Sequence, residues 1–289
     1  MPMAPHIITH AEAYLKRYDV VFCDVWGVVH DGENAYVEAG EALARFREAG
    51  GTVVLVSNAP YPAARVATVI DAKGVRRDAW DAIVSSGDIA RRHVAEAGYT
   101  RVHCIGPESR DRALFESLPG RRTPLTDAEV VVCSGLVHDR TETAEDYRGL
   151  LQQALALRLP LVCANPDLIV DVGSARLPCA GAIAVLYEQM GGTVFWAGKP
   201  HPAAYQTALA SAQELRGASV SPDRVLAIGD ALRTDLAAAE GASIDALFVA
   251  GGIHRHEIMN GADIDPASLA GLFRSGAPPA VAAMTQLRW

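Results

Sequence analysis

VVFCDVWGVVHDG (residues 20–32) opens on four consecutive apolar residues and then meets a carboxylate, Asp24. A continuous apolar run, rather than an alternating one, is what a strand covered on both faces requires. The pattern recurs in TVVLVS (52–57), AIVSS (82–86), VHCIG (102–106), VVVCS (130–134), LVCA (161–164), VFWAG (194–198), VLAIG (225–229) and ALFVAGG (246–252). Amphipathic stretches separate them, among them EAGEALARFREAGG (38–51), AEDYRGLLQQALALRL (144–159) and HPAAYQTALASAQEL (201–215). Gly50-Gly51 and Gly191-Gly192 stand where helices end. Strand and helix patterns alternating in this way predict βαβ units, hence an α/β fold built on a doubly wound parallel sheet.

Such sheets bind ligands outside the carboxyl ends of their strands, so the residues just past each run matter most. Asp24 comes after the first and Ser57-Asn58 end the second; Lys199 comes after VFWAG, and Asp230, with Asp235 five residues on, after VLAIG. One such Asp alone reads as a turn former or helix cap. Together, three carboxylates, a hydroxyl and an ammonium resemble a site for phosphate and magnesium: acids supply hard oxygen ligands, and cation and hydroxyl take phosphoryl oxygens. Lys199 stands out because the chain has 23 arginines and only three lysines. A compact ammonium is a different tool from a planar guanidinium.

Composition narrows the alternatives. The 289 residues allow about two domains at ~150 residues each. Half are hydrophobic and 21% charged, which excludes a disordered chain. A net charge of −8 leaves no basic footprint for nucleic acid or an anionic membrane. No uncharged apolar stretch reaches the ~18 residues of a membrane span, and MPMAPHIITHAEAYLKRYD lacks an apolar signal core. Five cysteines without a CxxC pair read as reduced, mostly buried thiols, so a cytoplasmic protein is expected. A homo-oligomer is compatible with all of this.

With those residues in view, the sequence resembles the haloacid-dehalogenase superfamily of phosphohydrolases, and more narrowly its class IIA branch, which carries a large inserted cap. The motifs are FCDVWGVVHDG (22–32), VLVSNAP (54–60), WAGKPHP (196–202) and AIGDALRTD (227–235), while ANPDLIVDV (164–172) and PCAGAIAVL (178–186) resemble the cap segment facing the active site. The resemblance implies a core of residues 1–88 and 198–289 and an inserted α/β cap at 89–197. It also implies Mg²⁺-dependent hydrolysis of a small phosphomonoester, a sugar phosphate or similar metabolite. Asp24 would be the nucleophile and form an aspartyl-phosphate. Asp24, the main-chain carbonyl of Trp26 and Asp230 would hold Mg²⁺, with Asp235 orienting from behind. Ser57, Asn58 and Lys199 would bind the transferring group, and Asn165 and Asp167 would contact substrate.

One position departs from the family. The first motif normally reads Asp-x-Asp, its second Asp serving as general acid and base, and here that residue is Trp26. Indole N–H donates a hydrogen bond but exchanges no proton near neutral pH, and losing a positioned acid–base costs ~10²–10⁴-fold. The carbonyl that serves the metal is untouched. Three outcomes are compatible with Trp26: a leaving group needing little protonation, a proton from His30 or Asp31, or slow turnover that leaves a phosphate-binding or regulatory protein. A solvated turn is the plainer expectation for His30. The run His254-Arg255-His256-Glu257 reads as a solvated loop rather than a metal cluster, and the pairs Arg76-Arg77, Arg91-Arg92 and Arg121-Arg122 as solvated surface. Cys23 reads as a structural thiol.

Overall fold

A computed structural model describes residues 4–172, 175–274 and 276–289. The chain forms two compact units: the described parts of Met1–Ser57, Ala67–Val84 and Tyr205–Trp289 make one, and Asn58–Val66 with Ser85–Ala204 make the other.

The first unit holds a seven-stranded sheet of β1 (His6–Ile7), β2 (Val20–Cys23), β3 (Thr52–Ser57), β4 (Ala82–Ser85), β12 (Val225–Gly229), β13 (Asp245–Val249) and β16 (Ala282–Met284). Their order is β1-β16-β13-β12-β2-β3-β4, with parallel ladders from β1 through to β3. The apolar runs explain the layout: every residue of β2 and β12 is buried, as a central strand pair covered on both faces demands. β2 and β12 pair with Phe22 opposite Ala227 and Cys23 opposite Ile228, so both strands deliver their next residues to the same edge. Phe22 packs edge-on against Tyr205, with ring centroids 5.2 Å apart. The helix expected at 38–51 runs Val37–Glu48, burying Leu43 and Phe46, and stops at Gly50.

In the second unit, β5 (Arg101–Ile105), β6 (Arg121–Arg122), β7 (Val130–Cys133), β8 (Leu161–Cys163) and β11 (Val194–Trp196) form a five-stranded sheet, order β11-β8-β7-β5-β6, parallel throughout. Its core gathers Val131, Leu151, Leu161, Ile183 and Tyr187. β9 (Ile169–Val172) and β10 (Ala175–Pro178) pair antiparallel beside it. The small ribbon of β14 (Met259–Asn260) and β15 (Asp263–Ile264) belongs to the first unit.

All nine apolar runs contain a strand, and the differences are informative. The helical stretch 144–159 divides into a tight 3₁₀ turn at Ala144–Tyr147 and a helix at Arg148–Ala156, its start capped by the Asp146 carboxylate, which accepts from both the N–H and the hydroxyl of Thr143. Strands β1 and β6, two residues each, are too short to leave a periodic signal.

Candidate active site

Asp24 is the first residue past β2, and its N–H still donates to the Ile228 carbonyl at 2.8 Å, so the ladder with β12 holds the nucleophile candidate in place. Asp230 is the first residue past β12. Asp235 lies on Leu232–Leu236, a single widened π turn that leads into the helix Ala237–Gly241. One carboxylate oxygen of each of the three lies within 4.8 Å of the others, the single cluster of this kind among the described residues. Asp230 and Asp235 are buried and Asp24 is half-buried.

Backbone geometry rather than side chains makes room for Asp230. A Cβ placed on Gly27 would stand 2.1 Å from Asp230 Oδ2, and one on Gly252 1.9 Å from the same atom. Gly27 also has φ +86, a region that other residues avoid. The Ile253 N–H donates to Asp230 Oδ2 at 2.7 Å, and the Ala231 N–H donates to Asp235 Oδ2 at 3.2 Å. Sequence reasoning missed Gly27 and Gly252; the clue was a glycine after each of two strand ends in WGVV and VAGG.

Trp26 is 37% exposed beside this cluster. Its ring meets the His30 imidazole edge-on, centroids 5.1 Å apart, and a Cβ on Gly32 would strike it at 2.5 Å. His30 is not the solvated turn residue expected from sequence: it is only 2% exposed. The reason is local. Trp26 and His30 bridge across the turn, and the Gly32 N–H donates to His30 Nδ1 at 2.9 Å, drawing the ring inward. In the neutral ring this leaves the proton on Nε2. Burial, helped by the nearby Lys73 ammonium, lowers the imidazole pKa to about 4. Asp31 is the solvated turn residue, its carboxylate accepting from the N–H groups of Glu33 and Asn34 at 2.8 and 2.7 Å and held below its usual range by them.

Ser57 closes β3, half-buried. The other expected phosphate and substrate residues lie in the second unit. Lys199, 1% exposed, comes after β11, and Asn58 brackets its backbone: Asn58 Oδ1 accepts from the Lys199 N–H at 2.8 Å and Nδ2 donates to the Lys199 carbonyl at 3.0 Å. The same Nδ2 donates to Asp167 Oδ1 at 2.9 Å. Asn165 Oδ1 accepts from the Asp167 N–H at 3.1 Å, a side-chain-closed turn past β8. Two positioning features were illegible in the sequence, the Asn58 bracket and Ser86, whose hydroxyl donates to Asn58 Oδ1 at 3.4 Å.

Known families and solved structures resemble this chain. A family model described as haloacid dehalogenase-like hydrolase matches residues 21–117, and one described as HAD-hydrolase-like matches residues 196–272. A haloacid dehalogenase-like hydrolase from Brucella suis 1330 is 40% identical, covering 97% of this chain and 100% of its own, with a TM-score of 0.84. The chain belongs to the haloacid dehalogenase-like hydrolase family. Curated proteins give no match. Other solved structures share the family fold. A 4-nitrophenylphosphatase from Thermotoga maritima superposes at TM-score 0.69 with 23% identity, over 93% of this chain and 94% of that one. A glycerol phosphate phosphatase from Mycobacterium tuberculosis, in complex with calcium, superposes at 0.62 with 26% identity, over 83% and 68%.

Other polar groups have plain roles in this hydrolase. His254 caps a short helix, Arg255–Ile258, and its Nδ1 meets Glu257 Oε1 at 3.0 Å, so the expected loop is a helical turn and its histidine serves a local pair. Arg76, Arg91 and Arg122 pair with Asp78, Asp88 and Glu108. The five cysteines are free thiols; burial pushes Cys104 up to about 11 and Cys133 and Cys179 up to about 12. No helix among the described residues is long and apolar enough to cross a membrane.

Proposed function

We propose that this hydrolase releases phosphate from a small phosphomonoester, a sugar phosphate or similar metabolite, through an aspartyl-phosphate on Asp24. The observation that supports this most is the convergence of Asp24, Asp230 and Asp235 within 4.8 Å, at the ends of two neighbouring parallel strands. Three hard carboxylate oxygens, two of them on buried residues, fit a divalent cation such as Mg²⁺. Asp24, Asp230 and the Trp26 carbonyl would hold it, with Asp235 orienting from behind; when bound, it supplies the positive charge that lets an anionic nucleophile approach an anionic phosphate.

In this reading an Asp24 oxygen attacks phosphorus, the bond to the leaving oxygen breaks, and water then cleaves the acyl phosphate to regenerate Asp24. Ser57 Oγ and the Asn58 main chain hold phosphoryl oxygens, and Lys199 offsets their charge. Asn165 and Asp167 contact the substrate, from an inserted class IIA cap at about 89–197. The leaving oxygen takes its proton from solvent, because Trp26 has none to give and His30, with its pKa near 4, is neutral at pH 7. Substrates whose leaving group needs little protonation are therefore the favoured ones. A cytoplasmic location is inferred from the thiols and composition.

An indole in the acid's place, packed against the His30 imidazole, also supports a second reading, a catalytically impaired phosphate-binding or regulatory protein. One experiment separates them. Purified protein with Mg²⁺ is screened against p-nitrophenyl phosphate and phosphorylated metabolites, with Asp24→Asn as control. Turnover that disappears in Asp24→Asn supports the enzyme. Turnover unchanged by that substitution removes Asp24 from the chemistry, and magnesium-dependent binding without turnover supports the second reading.

A further inference from the structure

β11, β8, β7 and β5 end on one edge of the second unit's parallel sheet, the edge where open α/β sheets take ligands. Past β11 and β8 come Lys199 and the Asn165–Asp167 turn. Past β7 and β5 lies a polar group outside the phosphate site. Asp111, fully buried in the helix Glu108–Ser117, accepts from Arg110 Nε at 2.8 Å, from Arg110 Nη2 at 3.0 Å and from Ser134 Oγ at 2.5 Å. Buried ion pairs are poor devices for stability, since the desolvation they demand rivals the attraction they return. What this one does is hold a guanidinium in one orientation.

The outer end of that guanidinium is open. The Arg110 side chain is 38% exposed, and its Nη1 meets Asp139 Oδ2 at 3.0 Å in a solvent-facing pair, the weak and replaceable kind. The chain is bare where the group passes: a Cβ on Gly135 would stand 2.5 Å from Nη2. Tyr61 lies within electrostatic reach of Arg110 and Cys179, and Cys179 within reach of Asp167 as well. Asp167 holds Asn58, which brackets Lys199. Lys199 and Arg110 thus stand past strands of the same sheet edge, the lysine past β11 and the arginine on the helix that follows β5.

We propose that Arg110 is a specificity-determining residue that binds a second anionic group, a carboxylate or a second phosphate, on the phosphomonoester whose phosphoryl end Lys199 takes. Asp139 is the side chain this group displaces, while Asp111 stays in place beneath. The inference rests on the phosphatase reading above.

The test compares kcat and KM, with Mg²⁺, for phosphomonoesters bearing a carboxylate or a second phosphate and for neutral analogues of the same size. The wild type is expected to prefer one doubly anionic arm by about tenfold or more in kcat/KM, a single charge-assisted contact, and the preferred arm identifies the group. Arg110→Gln raises KM for that arm about tenfold, and far less for the neutral analogue; Asp139→Asn lowers it. If Arg110→Gln does not fold, Arg110→Gln/Asp111→Asn, which leaves no buried charge unpaired, carries the comparison. No preference in the wild type, or equal losses on both arms, overturns the proposal. If nothing is turned over, calorimetric binding of the same compounds to Asp24→Asn separates the two failures. Arg110-dependent binding there keeps the anion site while the phosphatase reading falls, and its absence ends both.

Discussion

In the proposed reading, Trp26→Asp supplies the general acid–base that the family resemblance expects at this position, and two opposing effects set its outcome. On the chemical side, a positioned general acid is worth ~10²–10⁴-fold, or about 3–5 kcal/mol of barrier, for an alkyl leaving group that must be protonated. On the structural side, Trp26 is 37% exposed, so about three-fifths of its ~150–250 Å² is packed, and removing it costs about 2–4 kcal/mol. That sum includes the edge-on contact with His30 at 5.1 Å. The variant is therefore expected to melt earlier yet hydrolyse alkyl phosphates at least a hundredfold faster, with little gain on p-nitrophenyl phosphate, whose leaving group needs no acid. Phosphate release from both substrates and a thermal melt measure everything required. A folded variant that keeps its p-nitrophenyl phosphate activity and gains nothing on alkyl phosphates refutes the reasoning.

Other expectations concern the scaffold. His30, whose pKa falls from 6.5 to about 4 on burial, stabilises the fold above pH 6.5, and that contribution of about 3 kcal/mol drains away as pH drops toward 4. His30→Asn should flatten the melting-temperature profile between pH 7 and 4.5, and an unchanged profile would count against a buried neutral imidazole. Gly252→Ala pushes a methyl to 1.9 Å from Asp230 Oδ2, so Mg²⁺ affinity measured by calorimetry should fall about 10–100-fold. Tyr187→Phe strands the buried Leu159 carbonyl that the phenol reaches at 2.6 Å, a loss of about 1–3 kcal/mol in urea unfolding.

Much of the site could be read from local chemistry. Asp24 and Asp230 stand directly after apolar runs that can only be buried strands, so their place at strand ends came with the runs. Asp235 needed the family's spacing, because nothing in LRTDL announces a π turn. His30 misled, since a histidine in HDG between valines and an acid looks like any exposed turn. Its burial depends on the Trp26 ring and the Gly32 N–H, contacts that pattern alone does not encode.

The order of residues by itself determined the α/β class, the strand-end acids and an indole at position 26 that exchanges no proton near neutral pH, because periodicity and residue chemistry are local properties. The glycine cradle at Asp230, the Asn58 bracket on Lys199 and the Arg110–Asp111–Ser134 group were decided by the tertiary structure. Each joins residues whose nearness depends on which strands neighbour which, as with Asn58 and Lys199, 141 positions apart, and no run of sequence specifies that adjacency.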